Sequence, residues 1–319
     1  MEKRRRNGGS TAAAAICSAL IFQAGKEPKA VKGGIVLSND KVFSNDDDMN
    51  RLERLFRQNC RTPWEMAVEP IKLSPHVFYV GGSWIGATLI DTGDGLILID
   101  CGMPTQLYLI FEGIRRLGFD PKDIKKLLIS HGHYDHVGAA KAVLEYTGAK
   151  FYGAKEDLAA FEGRDIAALR TRGEPYSAVT PDEFFSDDKP IIQGNVTIRT
   201  MLTAGHTPGT TSFFFEDHGE NGKVYKLGLH GGLGLNTLTA NGPDDIPRVQ
   251  AVRKTYRRNV ELLKTFPIDV TCSNHPGMAH LCERDAQKES KSEAMYDPKA
   301  WGEMLEHYLA MLNSLEAQQ

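Results

Sequence analysis

The stretch 130–138, SHGHYDHVG, places three histidines and an aspartate within six positions of a chain that has ten histidines in 319 residues. It follows directly on KKLLI, whose apolar residues run together, as in a strand covered on both faces. An imidazole-rich segment cannot continue into such a core, so it has to emerge at a sheet edge, where loops collect functional side chains. In extended backbone, residues two apart point to the same side, so His131 and His133 can reach one metal. The change of direction into VGAAKAVL, a helix start, can aim Asp135 and His136 at a second. Imidazole nitrogen with one hard carboxylate oxygen suits Zn2+ better than iron or manganese.

The flanking pattern is that of a layered α/β protein. VFYV, GATLIDT and LILIDC are rich in β-branched and aromatic residues, and GDG between the last two reads as a hairpin turn. A helical pattern over 104–117 leads into KKLLIS; 139–146 reads as a short helix, KFYGA as a strand and 156–169 as one further helix. Strands VTIRTML, TSFFFED and VYKLGL follow, then a helix over 245–265, strand DVTCSN and a C-terminal helix over 299–315. Two such halves with helices outside predict an α/β fold, a four-layer αββα sandwich, as a single catalytic domain over 49–319. MNRLERLFRQN, from Met49, reads as its first amphipathic helix.

A net charge of -3 offers no basic excess to hold a phosphate backbone, which disfavours nucleic acid and favours a small-molecule partner. No stretch approaches the ~20 apolar residues that span a bilayer. Residues 1–48 place a basic cluster before a short apolar run over 11–22, the layout of a signal peptide, which predicts a periplasmic or secreted protein. The same residues also fit a disordered N-terminal extension, and translation from Met49 would leave the protein cytoplasmic. Five cysteines without C-x-x-C spacing indicate neither a zinc ribbon nor a disulfide framework, and a single bridge such as Cys272 to Cys282 stays open.

Two later motifs resemble each other. TAGHTPGTTSFFF puts His206 at the end of one strand and DVTCSNHPGM puts His275 at the end of another, each followed by Pro and Gly in a tight turn. His76, His218, His280 and His307 read as turn or helix-surface residues, and His230, at a strand end, is assigned no ligand role, with lining of the site as its lesser alternative. HGHYDH, GHTPGTTS and HPGM, in that order, resemble the metallo-β-lactamase superfamily over roughly 64–308. LIDTGDGLILIDCGMP is similar to that family's opening hairpin with its buried aspartate, here Asp100.

Many hydrolases of the superfamily carry an aspartate bridging both metals after the strand that here reads KLGLHGGLGLN, and this segment has none. Asp217 reads as part of the EDHGENGK turn at the wrong end of the strands, and Asp244 and Asp245 as a helix N-cap. The lack of that carboxylate, with His136 in the motif, resembles the subclass-three metallo-β-lactamases. The resemblance implies two Zn2+ per chain, the first on His131, His133 and His206 and the second on Asp135, His136 and His275. It also implies that Asp135 is catalytic, orienting a metal-activated hydroxide that opens the ring of an anionic β-lactam antibiotic. Where several members carry serines that help to hold the substrate, this chain has Gly232 and Gly234, leaving Asn236, Thr237 and Thr239 as donors. Trp84 and Tyr176 are candidates for the apolar walls of the substrate site, with structural packing as the alternative for each. A hydrolase of another ester, lactone or thioester on the same metals is the second enzymatic reading, and a metal-binding protein without turnover the third.

Overall fold

The apolar run 96–99 is buried throughout, and its side chains alternate between two cores: Leu96 and Leu98 pack into one hydrophobic cluster, Ile97 and Ile99 into another. A single strand that feeds two cores must lie in a sheet with a packed layer on each face. The computed structural model describes residues 46–318, apart from 221, 241 and 292. The expected signal or extension segment, with Cys17, lies almost entirely outside these residues.

The first sheet runs in chain order: β1 (Ile71–Ser74), β2 (Val77–Gly81), β3 (Gly86–Asp91), β4 (Leu96–Ile99), β5 (Ile124–Leu128), β6 (Lys150–Gly153) and β7 (Glu183–Phe184). Its first four strands are antiparallel neighbours, joined between β3 and β4 by the expected GDG turn, and β4 to β7 run parallel. The second sheet comprises β8 (Ile191–Gln193), β9 (Val196–Leu202), β10 (Thr211–His218), β11 (Val224–Leu229) and β12 (Val270–Cys272), in the order β12-β11-β10-β9-β8. The helices are α1 (Asp46–Arg61), α2 (Leu107–Arg116), α3 (Tyr134–Val137), α4 (Ala140–Thr147), α5 (Leu158–Phe161), α6 (Ile166–Leu169), α7 (Ile246–Leu263), α8 (Leu281–Gln287) and α9 (Ala300–Ala317).

The inner core joins Ile97 and Ile99 to Ile198, Phe213 and Leu227 of the second sheet, and continues to Tyr256 of α7 and Trp301 of α9. The outer core sets Leu96 and Leu98 against Ile110 and Ile114 of α2 and Val143 of α4. This is the αββα sandwich that the alternation of strands and helices predicts. No helix among the described residues is long and apolar enough to cross a membrane.

Several local readings change. The helix expected over 156–169 is two single turns, α5 and α6, because Gly163 turns left-handed at φ +66° and the Asp165 carboxylate caps a new start on Ala168 N–H. α1 begins at Asp46, ahead of the expected boundary at Met49. β7, β8, α3 and α8 are too short to show a period in sequence. The four described cysteines, Cys60, Cys101, Cys272 and Cys282, are all free, so there is no Cys272–Cys282 bridge.

Asp217 is not a turn residue. It lies in β10, buried, and ties the two sheets together at the end away from the histidines: its carboxylate accepts from Ser74 Oγ, His76 N–H at 2.9 Å and His76 Nδ1 at 2.8 Å. Removing it strands these donors, each worth about 1–3 kcal/mol when left unpaired. Asp217→Ala is therefore expected to lower stability to urea by at least ~2 kcal/mol while leaving metal uptake unchanged; a loss of metal at native stability would contradict this placement.

Candidate metal centre

β5 delivers its chain to the sheet edge, and Ile129 and Ser130 remain buried before the first imidazole. His131 follows in a bend and His133 in extended backbone, and α3 then turns Asp135 and His136 inward, with His136 N–H and Val137 N–H both bonded to His133 O at 3.0 Å. His206 comes from the β9–β10 loop. Its neighbour Gly205 has φ +153° and lies so close to α7 that a Cβ there would be 2.7 Å from Tyr256 Cβ, which only glycine avoids. His275 comes from the loop after β12, where Ser273 Oγ donates to its carbonyl at 2.7 Å.

These three segments bring six side chains into two groups: His131, His133 and His206, all buried, and Asp135, His136 and His275, of which Asp135 and His275 are only partly covered. Within each group the candidate ligand atoms lie within 4.8 Å of one another. The centre thus opens to solvent on the side of Asp135 and His275.

The proton inventory shows what this arrangement can hold. Ser130 Oγ donates to Asp100 at 2.8 Å, so its oxygen is left to accept from His131 Nδ1–H at 3.1 Å. His136 Nδ1–H donates to Asp100 Oδ2 at 2.6 Å, His206 Nδ1–H to Gly234 O at 2.6 Å, and His275 Nδ1–H to Trp84 O at 2.7 Å. Each neutral ring then presents a bare Nε2 inward. His136 Nε2 and His275 Nε2 stand 3.3 Å apart, and His131 Nε2 and His133 Nδ1 3.1 Å. Ligands ~2.0–2.1 Å from a tetrahedral metal are about 3.3 Å from each other, the spacing seen between His136 Nε2 and His275 Nε2. The residues fit two metal ions.

Burial keeps the first group uncharged: it holds His131 and His133 well below the ordinary histidine pKa and lowers His206 to about 3. The second group differs. Burial also opposes charge on His136, but the Asp100 and Asp135 carboxylates outweigh it and raise its pKa. Burial pushes Asp135 towards protonation, yet His136 and His275 hold its carboxyl well below the usual range, so it stays ionised. Asp135 Oδ2 is 3.3 Å from His275 Nε2 and 3.8 Å from His136 Nε2.

No other carboxylate enters either group among the described residues, and the packing of 231–234 shows why. A Cβ at Gly231 would fall 2.1 Å from Thr211 O, at Gly232 2.5 Å from His206 Cδ2, and at Gly234 3.2 Å from His206 Cε1. An aspartate in this segment would push against the β10 backbone or displace His206. His230 is buried, its Nδ1 accepts from Gly232 N–H at 3.0 Å, burial lowers its pKa to about 3, and it belongs to neither group.

Of the expected substrate-side residues, Trp84 stands at the centre, its carbonyl on His275 and its ring edge-on to that imidazole at 5.4 Å. Asn236 and Thr237 lie beside Gly234, and Asn236 Oδ1 and Thr237 Oγ1 are buried without hydrogen-bond partners. Thr239 is exposed. Tyr176 is committed to packing: its hydroxyl donates to Phe161 O at 2.9 Å and its ring meets Tyr134.

Two supporting residues carry no motif of their own. Asn274 donates from Nδ2 to Asp100 Oδ2 at 2.8 Å and accepts at Oδ1 from Thr88 Oγ1 at 2.7 Å. Asp157, buried just after β6, accepts from Gly132 N–H at 2.7 Å, Thr207 Oγ1 at 2.7 Å and Gly209 N–H at 2.8 Å, locking the His131–His133 loop to the His206 loop. Only the sequence neighbourhood of the first, NHP, hinted at a role.

The profile of the metallo-beta-lactamase superfamily matches residues 86–219, which include HGHYDH and GHTPG. Residues 86–219 thus match the metallo-β-lactamase superfamily, and the fold is the one its solved members share. This superfamily consists of metallo-hydrolases, and its fold implies a dinuclear metal site. The metallo-β-lactamase GOB-18 of Elizabethkingia meningoseptica is 28% identical, with a TM-score of 0.66 over 81% of this chain and 93% of that one. The subclass B3 enzyme BJP-1 of Bradyrhizobium japonicum, at 24% identity and a TM-score of 0.70 over 81% and 96%, shares the fold. Hydroxyacylglutathione hydrolase GloC of Haemophilus influenzae is 33% identical over 93 residues, 28% of this chain, and the match spans 44% of that relative's length.

Two outcomes test the centre. Protons compete with metals for imidazole, and His136, with its pKa raised above 6.5, gains its proton at higher pH than His206, at about 3. Acidifying the metal-loaded protein from about pH 8 to about 5 is therefore expected to empty the Asp135 group first, while the three-histidine group stays loaded. Cobalt substitution, followed by absorption, reads the order, and the reverse order refutes it. Asp157→Ala, which unties the two loops, is expected to weaken metal binding by about ten- to hundredfold in a chelator competition.

Proposed function

We propose that this chain is a zinc-dependent β-lactamase of the subclass-three type, hydrolysing the cyclic amide of anionic β-lactams. The observation that carries the reading is the missing bridging carboxylate, which the contacts of Gly231 and Gly232 with Thr211 and His206 keep out. The coverage of GOB-18 across 93% of its length supports it.

In this reading His131, His133 and His206 hold one zinc and Asp135, His136 and His275 the other. Two bound zinc ions supply Lewis acidity and, by lowering the pKa of water towards ~7, a nucleophile at neutral pH. The chain's own residues arrange the rest. The Nδ1–H donors to Asp100, Gly234 O and Trp84 O fix which nitrogen each ring turns inward. Asp135, ionised and on the open side, is placed to accept a proton at Oδ2 from the attacking water and to pass it to the departing ring nitrogen. The balance is the addition of water: a C–O bond forms at the carbonyl, the C–N bond breaks, and nitrogen gains the proton. With neutral imidazoles, two zinc ions and one carboxylate make the centre a net positive field for an anionic substrate. Trp84 offers its ring as an apolar wall beside His275.

The match to hydroxyacylglutathione hydrolase favours one alternative, hydrolysis of a thioester on the same residues. The deciding experiment offers the zinc-loaded protein a carbapenem, a cephalosporin, a lactone and a glutathione thioester. A kcat/KM for at least one β-lactam about tenfold above the lactone and the thioester, or ~1.4 kcal/mol of barrier, is expected. A preference for the thioester or the lactone over every β-lactam overturns the proposal.

A further inference from the structure

Beside the centre lies a cation without a carboxylate. Arg170 ends α6 in the left-handed region at φ +56°, its N–H bonded to Ile166 O at 3.0 Å. Arg172, two residues on, is left-handed too at φ +54°, and its guanidinium pairs with Glu53 of α1 and lies 5.0 Å over the Phe56 ring. Thr171 between them is buried. Residues with a Cβ persist in this conformation where their surroundings over-determine it, and such positions cluster at functional sites. Here the arm is clamped to α1 on one side of Arg170 and to α6 on the other.

The clamp sets the guanidinium at the rim of the first metal group. Arg170 Nη2 donates to Asn236 O at 3.4 Å, and Asn236 stands two residues beyond Gly234, whose carbonyl holds His206 Nδ1 at 2.6 Å. Its charge reaches His133, His206 and Asp135. Yet Arg170 forms no ion pair with a carboxylate within 4.0 Å among the described residues, although it is half-buried. The facing segment is unsatisfied as well, at Asn236 Oδ1 and Thr237 Oγ1. A cation drawn out of water without a counter-charge is unfavourable, and a guanidinium fork matches a carboxylate. An incoming carboxylate would pair with the guanidinium and accept a hydrogen bond from the Thr237 hydroxyl.

We propose that Arg170, carried on the α6 arm, anchors the carboxylate of the substrate at the rim of the three-histidine group and so sets the preference of this site for anionic substrates. The proposal rests on the reading above only in taking a carboxylate-bearing substrate. A purely structural Arg170, latching the Asn236 carbonyl, would instead affect charged and neutral ligands alike.

Ring-opened benzylpenicillin, a dicarboxylate, and its neutral dimethyl ester are the probes, with binding to the zinc-loaded protein measured by calorimetry. Arg170→Gly removes the cation and suits the left-handed backbone; Arg170→Gln keeps the side-chain length should the glycine variant not fold; Arg170→Lys restores a charge. The charge-removing variant is expected to bind the dicarboxylate at least about tenfold more weakly, with ester binding unchanged and the lysine variant at least threefold tighter than the glycine or glutamine one. Equal loss for acid and ester, affinity within twofold of the unaltered protein, or no binding of the dicarboxylate by the unaltered protein overturns the proposal. If Arg170-dependent binding is found in a protein that turns over no β-lactam, the anchor stands and the β-lactamase reading falls.

Discussion

The buried carboxylate of Asp100 organises this protein's centre. It is fully buried, left-handed at φ +64°, and accepts from Ser130 N–H, Ser130 Oγ, His136 Nδ1 and Asn274 Nδ2. A carboxylate with no water would cost several kcal/mol if its lone pairs were empty, so it holds its place only when all three segments arrive together. Those segments end β4, β5 and β12, and they come from both sheets. Closing the sandwich and orienting the second metal group are thus one event. Through Ser130 the same carboxylate also sets the tautomer of His131 in the first group.

Asp157 does for the first group what Asp100 does for the second. Its bonds to Gly132, Thr207 and Gly209 need backbone close against a carboxylate, and a Cβ at Gly209 would lie 2.5 Å from Asp157 Cγ. The glycines of GHG and TPG are therefore packing requirements as much as turn residues. Together the two aspartates hold the three ligand-bearing segments in place, so that metal uptake there would be coupled to the stability of those segments.

Much of this was legible in the chain. Continuous apolar runs in LILI and KKLLI marked doubly covered strands, and both lie in the first sheet with cores on its two faces. The six candidate ligands were legible because each stands in a short motif that follows a strand, and the structure gathers all six. Single-turn elements were not: α5, α6, β7 and β8 are shorter than the window over which a period can be seen. For Tyr176 the chain left a site wall and structural packing both open, and its hydroxyl and ring meet Phe161 and Tyr134.

What the sequence by itself determined is local: which segments are strands, where they end, and which ligating side chains stand at those ends, since periodicity and turn chemistry act over a few residues. Tertiary structure alone decided which groups answer one another. Asp100 meets Asn274 across 174 positions, Asp157 meets Thr207 across 50, and Arg170 meets Asn236 across 66. It also turned an absence into a constraint, because Gly231 and Gly232 are shown to exclude a carboxylate only when Thr211 and His206 are seen against them. Contacts of this kind depend on close packing between segments distant in the chain, and no pattern within either segment encodes the other.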